Sequence, residues 1–209
     1  MNNDVIVFQH VYPGRGCEPW IDLTQARTKQ WCTNHLMDYQ LITREVNKYN
    51  PGLGHWESVH WLFDLMQEYP FVIYLDADCI VADLNADPRH AFVEGKIGAV
   101  WHNLSYHDPD WSHFNVGALY AWSTPETKEF VAEWLGRYPG VPDFPWWENG
   151  EFNKLGTERG IIHKLDNAWN AGHVSPAEHK IIWGLHGIPD RLESIRKAVA
   201  ECELLCPSL

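Results

Sequence analysis

The chain lacks most of what marks nucleic-acid binders, membrane proteins and disulfide scaffolds. Positive charge is scarce: 16 Lys and Arg stand against 28 Asp and Glu, a formal net charge of −12. A surface that acidic repels phosphate backbones and anionic lipid, so general nucleic-acid binding and membrane-surface binding are not expected. An anionic ligand held through a metal stays compatible with it. No apolar run reaches the ~18–20 residues of a membrane span. The opening MNNDVIVFQH has neither a basic flank nor an apolar h-region, so no signal peptide is expected. The five cysteines, at 17, 32, 79, 202 and 206, form no C-x-x-C pair and are odd in number. Free thiols in a reducing compartment, the cytoplasm, are the economical reading. Cys202 and Cys206 fall at i, i+4 of a helical pattern, a spacing that points to packing rather than zinc. P-loop, nucleophile-elbow and H-E-x-x-H patterns are all missing. Gly14-Arg15-Gly16 and Gly52-Leu53-Gly54 lack the third glycine of a dinucleotide fingerprint.

What is present is a chain of 209 residues, 45% hydrophobic, enough for a real core and for one domain over 1–209. It is rich in Trp and His, 12 of each. Indole suits stacking against sugar rings or bases, although core filling is its commoner use. Strand-like and helix-like stretches alternate. Val5–Phe8, Tyr39–Thr43, Phe71–Val81, Ile97–Trp101, Phe114–Trp122, Ile161–Leu165 and Lys180–Leu185 read as strands. Helical patterns cover Thr24–Leu36 (capped by Thr24 or Asp22), Trp56–Glu68, a short piece near Pro88–Glu94, Pro125–Tyr138 behind a Thr124 cap, the end of Phe144–Leu155, and Arg191–Leu204. This order predicts an α/β fold: an open, mainly parallel sheet with helices on both faces.

The sharpest feature is Asp76-Ala77-Asp78 at the end of FVIYL. In a strand, i and i+2 share a face, so both carboxylates converge at its carboxyl end, where open α/β sheets bind ligands. Two like charges there need a cation between them, and oxygen ligands select Mn²⁺ or Mg²⁺. His186 ends the apolar run KIIWGL; a lone His is commonly a hydrogen-bonded core residue, and the Asp pair makes a third-ligand reading possible. His102, His107 and His113 lack helical metal spacing and read as acceptor-side or solvated.

HWESVHWLFDLMQEYPFVIYLDADCIV resembles the core of GT-A nucleotide-sugar glycosyltransferases. The likeness is to the retaining families of glycogenin and bacterial lipopolysaccharide galactosyltransferases, and of mannan galactosyltransferases and xyloglucan xylosyltransferases. ARTKQWCTNHLMDYQLI is similar to their helix and strand leading into the nucleotide pocket, and FNVGALYA to their F-N-x-G strand. PWWENGEFNKL resembles the acidic-plus-amide helix beside the anomeric carbon, LDNAWN the late L-P-x-x-W-N segment, and WGLHGIPDR the segment of the third metal ligand. The resemblance implies a single GT-A, Rossmann-like domain, a UDP-linked donor, a hydroxyl acceptor and retention of configuration. It implies Asp76, Asp78 and His186 as metal ligands, and Asp76, Asn115, Gly117, Trp147 and Arg191 as donor contacts. Glu148 and Asn149 become the catalytic pair. The chain departs from the pattern at Gly187, which follows His186 directly and leaves Arg191 as the nearest base; at Glu57, where Lys is common; and at Asn149, where Gln is usual. Two other classes remain in view: a metal-dependent nucleotidyl or phosphoryl transferase, and a non-catalytic carbohydrate-binding protein.

Overall fold

A computed structural model describes residues 3–11, 18–43, 55–103, 112–139, 147–172, 176–186, 188 and 190–205. Cys17, Cys206 and His107 lie outside them. Six strands form the main sheet: β1 (Val5–His10), β2 (Asp38–Ile42), β3 (Phe71–Leu75), β5 (Ile97–His102), β6 (His113–Trp122) and β7 (Ile162–Leu165). Their order is β2-β1-β3-β6-β5-β7. Pairs β1–β2, β1–β3 and β5–β7 are parallel, whereas β6 runs antiparallel to both β3 and β5. The sheet is mostly parallel, as expected, with β6 the exception.

Among the described residues, α1 (Glu18–Asn34), α2 (His55–Glu68), α3 (Pro125–Gly136) and α4 (Trp147–Arg159) cover it, and α5 (Arg191–Leu205) lies against α1. The two-residue period divides the sheet cleanly. Ile6, Phe8, Val72, Tyr74, Leu119 and Ala121 pack with Trp56 and Leu62 of α2, Phe130 and Trp134 of α3, and Phe152 of α4. Val5, Val7, Ile73, Leu75, Ala118 and Tyr120 face the other way, onto Trp31 of α1 and Trp169. Much of the indole excess is therefore core: Trp31, Trp56 and Trp134 are among the largest fully buried side chains.

Two local expectations are corrected. The first helix begins at Glu18, six residues before Thr24. Thr24 is no cap; its hydroxyl is spent across the fold, donating to the Ala77 carbonyl at 3.0 Å. The run Phe71–Val81 is not one strand. It breaks after Leu75, and β4 (Cys79–Val81) leaves the main sheet to pair antiparallel with β8 (Ile182–Gly184). Apolar periodicity cannot register this break, but burial can: carboxylates inside a doubly covered strand would lose hydration without replacement. The expected cap at Thr124 does form, as a reciprocal capping box with Thr127 ahead of Pro125.

Candidate metal and donor site

The break after β3 builds the site. The Asp76 N–H donates to the Gly117 carbonyl at 2.8 Å, and the Cys79 N–H returns to the Asp76 carbonyl at 3.0 Å. Asp76-Ala77-Asp78 is thus a tight turn. α1 holds the segment at both ends: Thr24 bonds the turn at Ala77, and the buried Arg27 donates from Nε to the Val81 carbonyl at the end of β4 at 2.7 Å and from Nη2 to Ala82 at 3.1 Å. The β4–β8 ribbon then carries the chain end of β8 back over the turn. His186 Nδ1 comes to 3.6 Å from Asp76 Oδ2 and 3.3 Å from Asp78 Oδ1. Arg191, opening α5, donates to Asp78 Oδ2 at 3.1 Å, its guanidinium 4.7 Å over the Trp20 ring.

Gly117 shows how close this packing is. A Cβ there would lie 2.4 Å from His186 Cε1 and 2.6 Å from Asp76 Oδ2, inside the space the two side chains share. At Gly184 a Cβ would meet Asn170 Oδ1 at 2.4 Å and His186 Nε2 at 2.5 Å.

A relay of amides sets the imidazole's tautomer. The Gly117 N–H can only donate, so the Asn115 atom 2.8 Å away is its oxygen. That oxygen also accepts from Asn170 Nδ2 at 2.9 Å. Asn170 Oδ1 therefore faces His186 Nε2, 3.2 Å away. An oxygen there requires Nε2 to carry its proton, which leaves Nδ1 for the two carboxylates or for whatever sits between them. Asn170 is fully buried in a 3₁₀ turn (Asn167–Asn170) capped by Asp166. It is a site residue that the sequence reading did not single out, though LDNAWN carries it.

Charge balance follows from the same contacts. Burial and the charge of Asp78 raise the Asp76 carboxyl above its ordinary range, against the opposing pull of His186 and the Tyr74 hydroxyl. Burial also works to raise Asp78, but His186 and Arg191 outweigh it and hold that carboxyl low. Burial would lower His186; Asp78 above all reverses this, and the imidazole rises well above its ordinary value. Without a metal, a proton and Arg191 thus supply the positive charge that the acids demand.

The residues fit a divalent cation. Two carboxylates and one imidazole converge, and Asp78 Oδ1 is buried without a hydrogen-bond partner among the described residues. Asp78, Cys79 and His186 also cluster closely enough to suggest a thiolate site. Three observations speak against the sulfur. It lies 3.9 Å from Nε2, the protonated nitrogen. It donates to the Gly117 carbonyl at 3.3 Å. Burial pushes its pKa up to about 11, so the thiolate is costly to form there.

Beside the turn opens a cavity of about 310 Å³, lined among others by His10, Trp20, Ser58, Tyr74, Asp76, Asp78, Glu148 and Arg191. Glu148, on the first turn of α4, is part of this lining. Burial drives the Glu148 pKa up to about 8 against the pull of backbone N–H groups, with Asp76 adding to the rise. Its Oε2 is buried without a hydrogen-bond partner among the described residues. Asn149 does not line the cavity: it is buried one residue further on, its Oδ1 facing Asn153 Nδ2 at 3.4 Å. Asn153 pins α4 to the sheet by bonding both the N–H and the carbonyl of Phe114. Trp147 opens α4, and its side chain lies outside the described residues. The structure therefore unites Asp76, Asp78, His186, Asn115, Gly117 and Arg191, places Glu148 in the cavity lining, and leaves Asn149 outside that lining, bonded within α4. His102 and His113 are not solvated. Both are buried, paired across β5 and β6, with the His102 ring 5.9 Å from that of His186. None of the described helices is long and apolar enough to cross a membrane.

Solved structures share this architecture. A glycosyltransferase involved in the glycosylation of the major capsid of PBCV-1 superposes with a TM-score of 0.75 at 13% identity, covering 93% of this chain and 100% of that one. The fold is GT-A. Mouse xyloside xylosyltransferase 1 follows with a TM-score of 0.55 at 12% identity, over 90% of this chain and 100% of its own. The galactosyltransferase LgtC, solved with donor and acceptor sugar analogs, gives 0.56 at 12%, over 94% and 95%. No family model and no curated protein sequence matches the chain.

Proposed function

We propose that the protein is a metal-dependent glycosyltransferase that moves a sugar from a UDP-linked donor to a hydroxyl acceptor with retention of configuration. One observation carries the reading: Asp76, Asp78 and His186 Nδ1 converge on the space kept clear by Gly117, at the edge of a sugar-sized cavity in a GT-A fold. A bound Mn²⁺ or Mg²⁺ would offset charge on the leaving diphosphate as a Lewis acid. Asp76, Asp78 and His186 would hold it. Arg191, already close to Asp78, would bind the diphosphate, and Trp20 would keep its guanidinium in plane. Asn115 would bind donor hydroxyls through its Nδ2, since its oxygen is taken, and Gly117 would allow the close approach.

Retention draws support from Glu148. A carboxyl with a pKa of about 8 is largely protonated near neutrality, and so is a poor base for an inverting attack and a poor nucleophile for a double displacement. Front-face departure and attack, with the departing phosphate oxygen taking the acceptor proton, needs neither. Glu148, with Asn149 behind it, then serves by presenting fixed dipoles to the positive anomeric centre. The buried free thiols Cys32 and Cys79 fit a cytoplasmic setting.

The test is a panel of nucleotide sugars with Mn²⁺, read by UDP release and by the anomeric-proton coupling of the product. Transfer from a UDP-sugar that stops with excess chelator is expected, with an α-linked product from an α-linked donor. Pyrophosphate release would favour the nucleotidyl transferase instead. A β-linked product would reject retention and return Glu148 to the role of base.

A further inference from the structure

One oxygen of the Asp76 carboxylate is already committed. The Tyr74 hydroxyl lies 2.5 Å from Asp76 Oδ1 and 3.0 Å from Ser58 Oγ. It has a single proton, and the carboxylate is the stronger acceptor, so Tyr74 donates to Asp76 and accepts from Ser58. Ser58 Oγ lies in turn 3.4 Å from His10 Nδ1. The chain of contacts runs through the end of β1, the first turn of α2 and the end of β3; His10, Ser58 and Tyr74 are buried, and the Asp76 carboxylate at its end is partly exposed. The Tyr74 ring packs on Phe8 with centroids 4.9 Å apart, so the hydroxyl cannot swing away without disturbing the core. Only Asp76 Oδ2 faces His186 and the space beside Gly117.

We infer that Tyr74 is a positioning residue that restricts Asp76 to ligation through one oxygen, and that it thereby makes the site select Mn²⁺ against Ca²⁺. The inference rests on the reading of Asp76 as a metal ligand. Ca²⁺ seeks six to eight oxygens and commonly takes carboxylates through both. A carboxylate with Oδ1 held by a buried phenol offers just one. The imidazole nitrogen of His186 tilts the site the same way, because Mn²⁺ accepts it more readily than Ca²⁺ does.

The experiment titrates the full chain with Mn²⁺ in the absence of nucleotide, following free Mn²⁺ by its electron paramagnetic resonance signal, and then competes with Ca²⁺. Tyr74→Phe keeps the ring and its packing. It should weaken Mn²⁺ binding about 10-fold and shrink the Ca²⁺-to-Mn²⁺ ratio of dissociation constants at least threefold. Ser58→Ala should shift both in the same direction by less. A native ratio in folded Tyr74→Phe overturns the inference, even where affinity for both ions falls together, since that pattern is mere loosening. Should Tyr74→Phe fail to fold, a native ratio in Ser58→Ala overturns it instead. Asp76→Asn separates the two levels. Loss of Mn²⁺ binding there, with Tyr74→Phe unchanged, removes this inference alone. Native Mn²⁺ affinity in Asp76→Asn removes the ligand reading beneath it.

Discussion

The two walls of the cavity are built on opposite terms. On the Asp76–His186 side most polar atoms have a set direction, and the buried Asp78 Oδ1, without a hydrogen-bond partner among the described residues, still lies 3.3 Å from His186 Nδ1. Thr24 holds the turn, Arg27 holds the end of β4, Gly117 and Asn115 orient Asn170, and Asn170 orients His186. On the α4 side the backbone is equally well held, with Trp134 Nε1 bonding the Glu148 carbonyl at 2.8 Å and Asn153 tied to Phe114. Yet the Glu148 carboxyl is left with one buried oxygen lacking a partner among the described residues. A prebuilt corner suits a ligand of fixed geometry, such as an octahedral cation. A rigid helix presenting an unsatisfied acid suits a partner that arrives with its own hydroxyls. The contrast teaches which residues should respond to metal and which to substrate.

The largest effect is expected where the prebuilt corner loses charge. Asp78→Asn should reduce sugar transfer by a factor of ~10² or more with the fold intact, because it removes a charge from the ligand set. Circular dichroism guards the fold and UDP release measures the rate. Full activity in the variant would erase the distinction between the walls. Next comes the relay. Asn170→Ala leaves the His186 tautomer unset and should weaken Mn²⁺ binding without nucleotide by about 10–30-fold, the usual scale for a lost group behind a metal-bound histidine. Unchanged Mn²⁺ affinity would mean that Asn170 only packs.

How much of this was legible in the sequence depends on the range of the interaction. Thr124-Pro125 was readable outright because a cap and its partners lie within four residues. Asp76 and Asp78 stood out because acids after an apolar run are costly wherever they are placed. The sheet's composition was legible from period-two runs, but the antiparallel sense of β6 was not, since strand direction leaves no mark on apolar spacing. Nor was the break between β3 and β4: FVIYLDADCIV has the pattern of one strand, and the turn is held by Thr24 and the end of β4 by Arg27, both more than fifty positions upstream of the carbonyls they bond. Asn170 and Tyr74 were missed for the same reason. Each looks like an ordinary core residue until folding sets Asn170 beside Asn115, and Tyr74 beside Ser58.

Arg191 tests whether the prebuilt corner is set for metal or for nucleotide. Its bond to Asp78 competes with a cation for that carboxylate, while its charge would attract a diphosphate. Arg191→Ala should therefore tighten Mn²⁺ binding without nucleotide and weaken UDP binding in the presence of Mn²⁺, each by several-fold and up to about tenfold. Calorimetry on the two ligands separates the arms. Movement of both affinities in one direction would make Arg191 a structural element of the corner and nothing more.

The smallest expected effect sharpens the other wall, and it is read in stability. Glu148 has an ordinary carboxyl pKa of 4.5 when unfolded and about 8 when folded. Between those values the folded chain holds a proton that the unfolded chain has released. Stability then falls as pH rises, because the native state binds more protons than the unfolded one. Below about pH 4 both states are protonated and this contribution vanishes. Glu148→Gln removes the ionisation and keeps the shape, so its advantage over the native chain should grow from about pH 5 to pH 8. Relaxation and water entry reduce the burial penalty, leaving about 1 kcal/mol at pH 8. For a domain of this size that is about 2–4 °C in Tm. The measurement is the difference in Tm between the two proteins at a series of pH values. A difference that widens with pH identifies Glu148 as the acid kept neutral by its wall. A difference that stays flat from about pH 5 to pH 8 means the carboxyl is ionised in the folded chain, and the argument for retention drawn from it is lost with it.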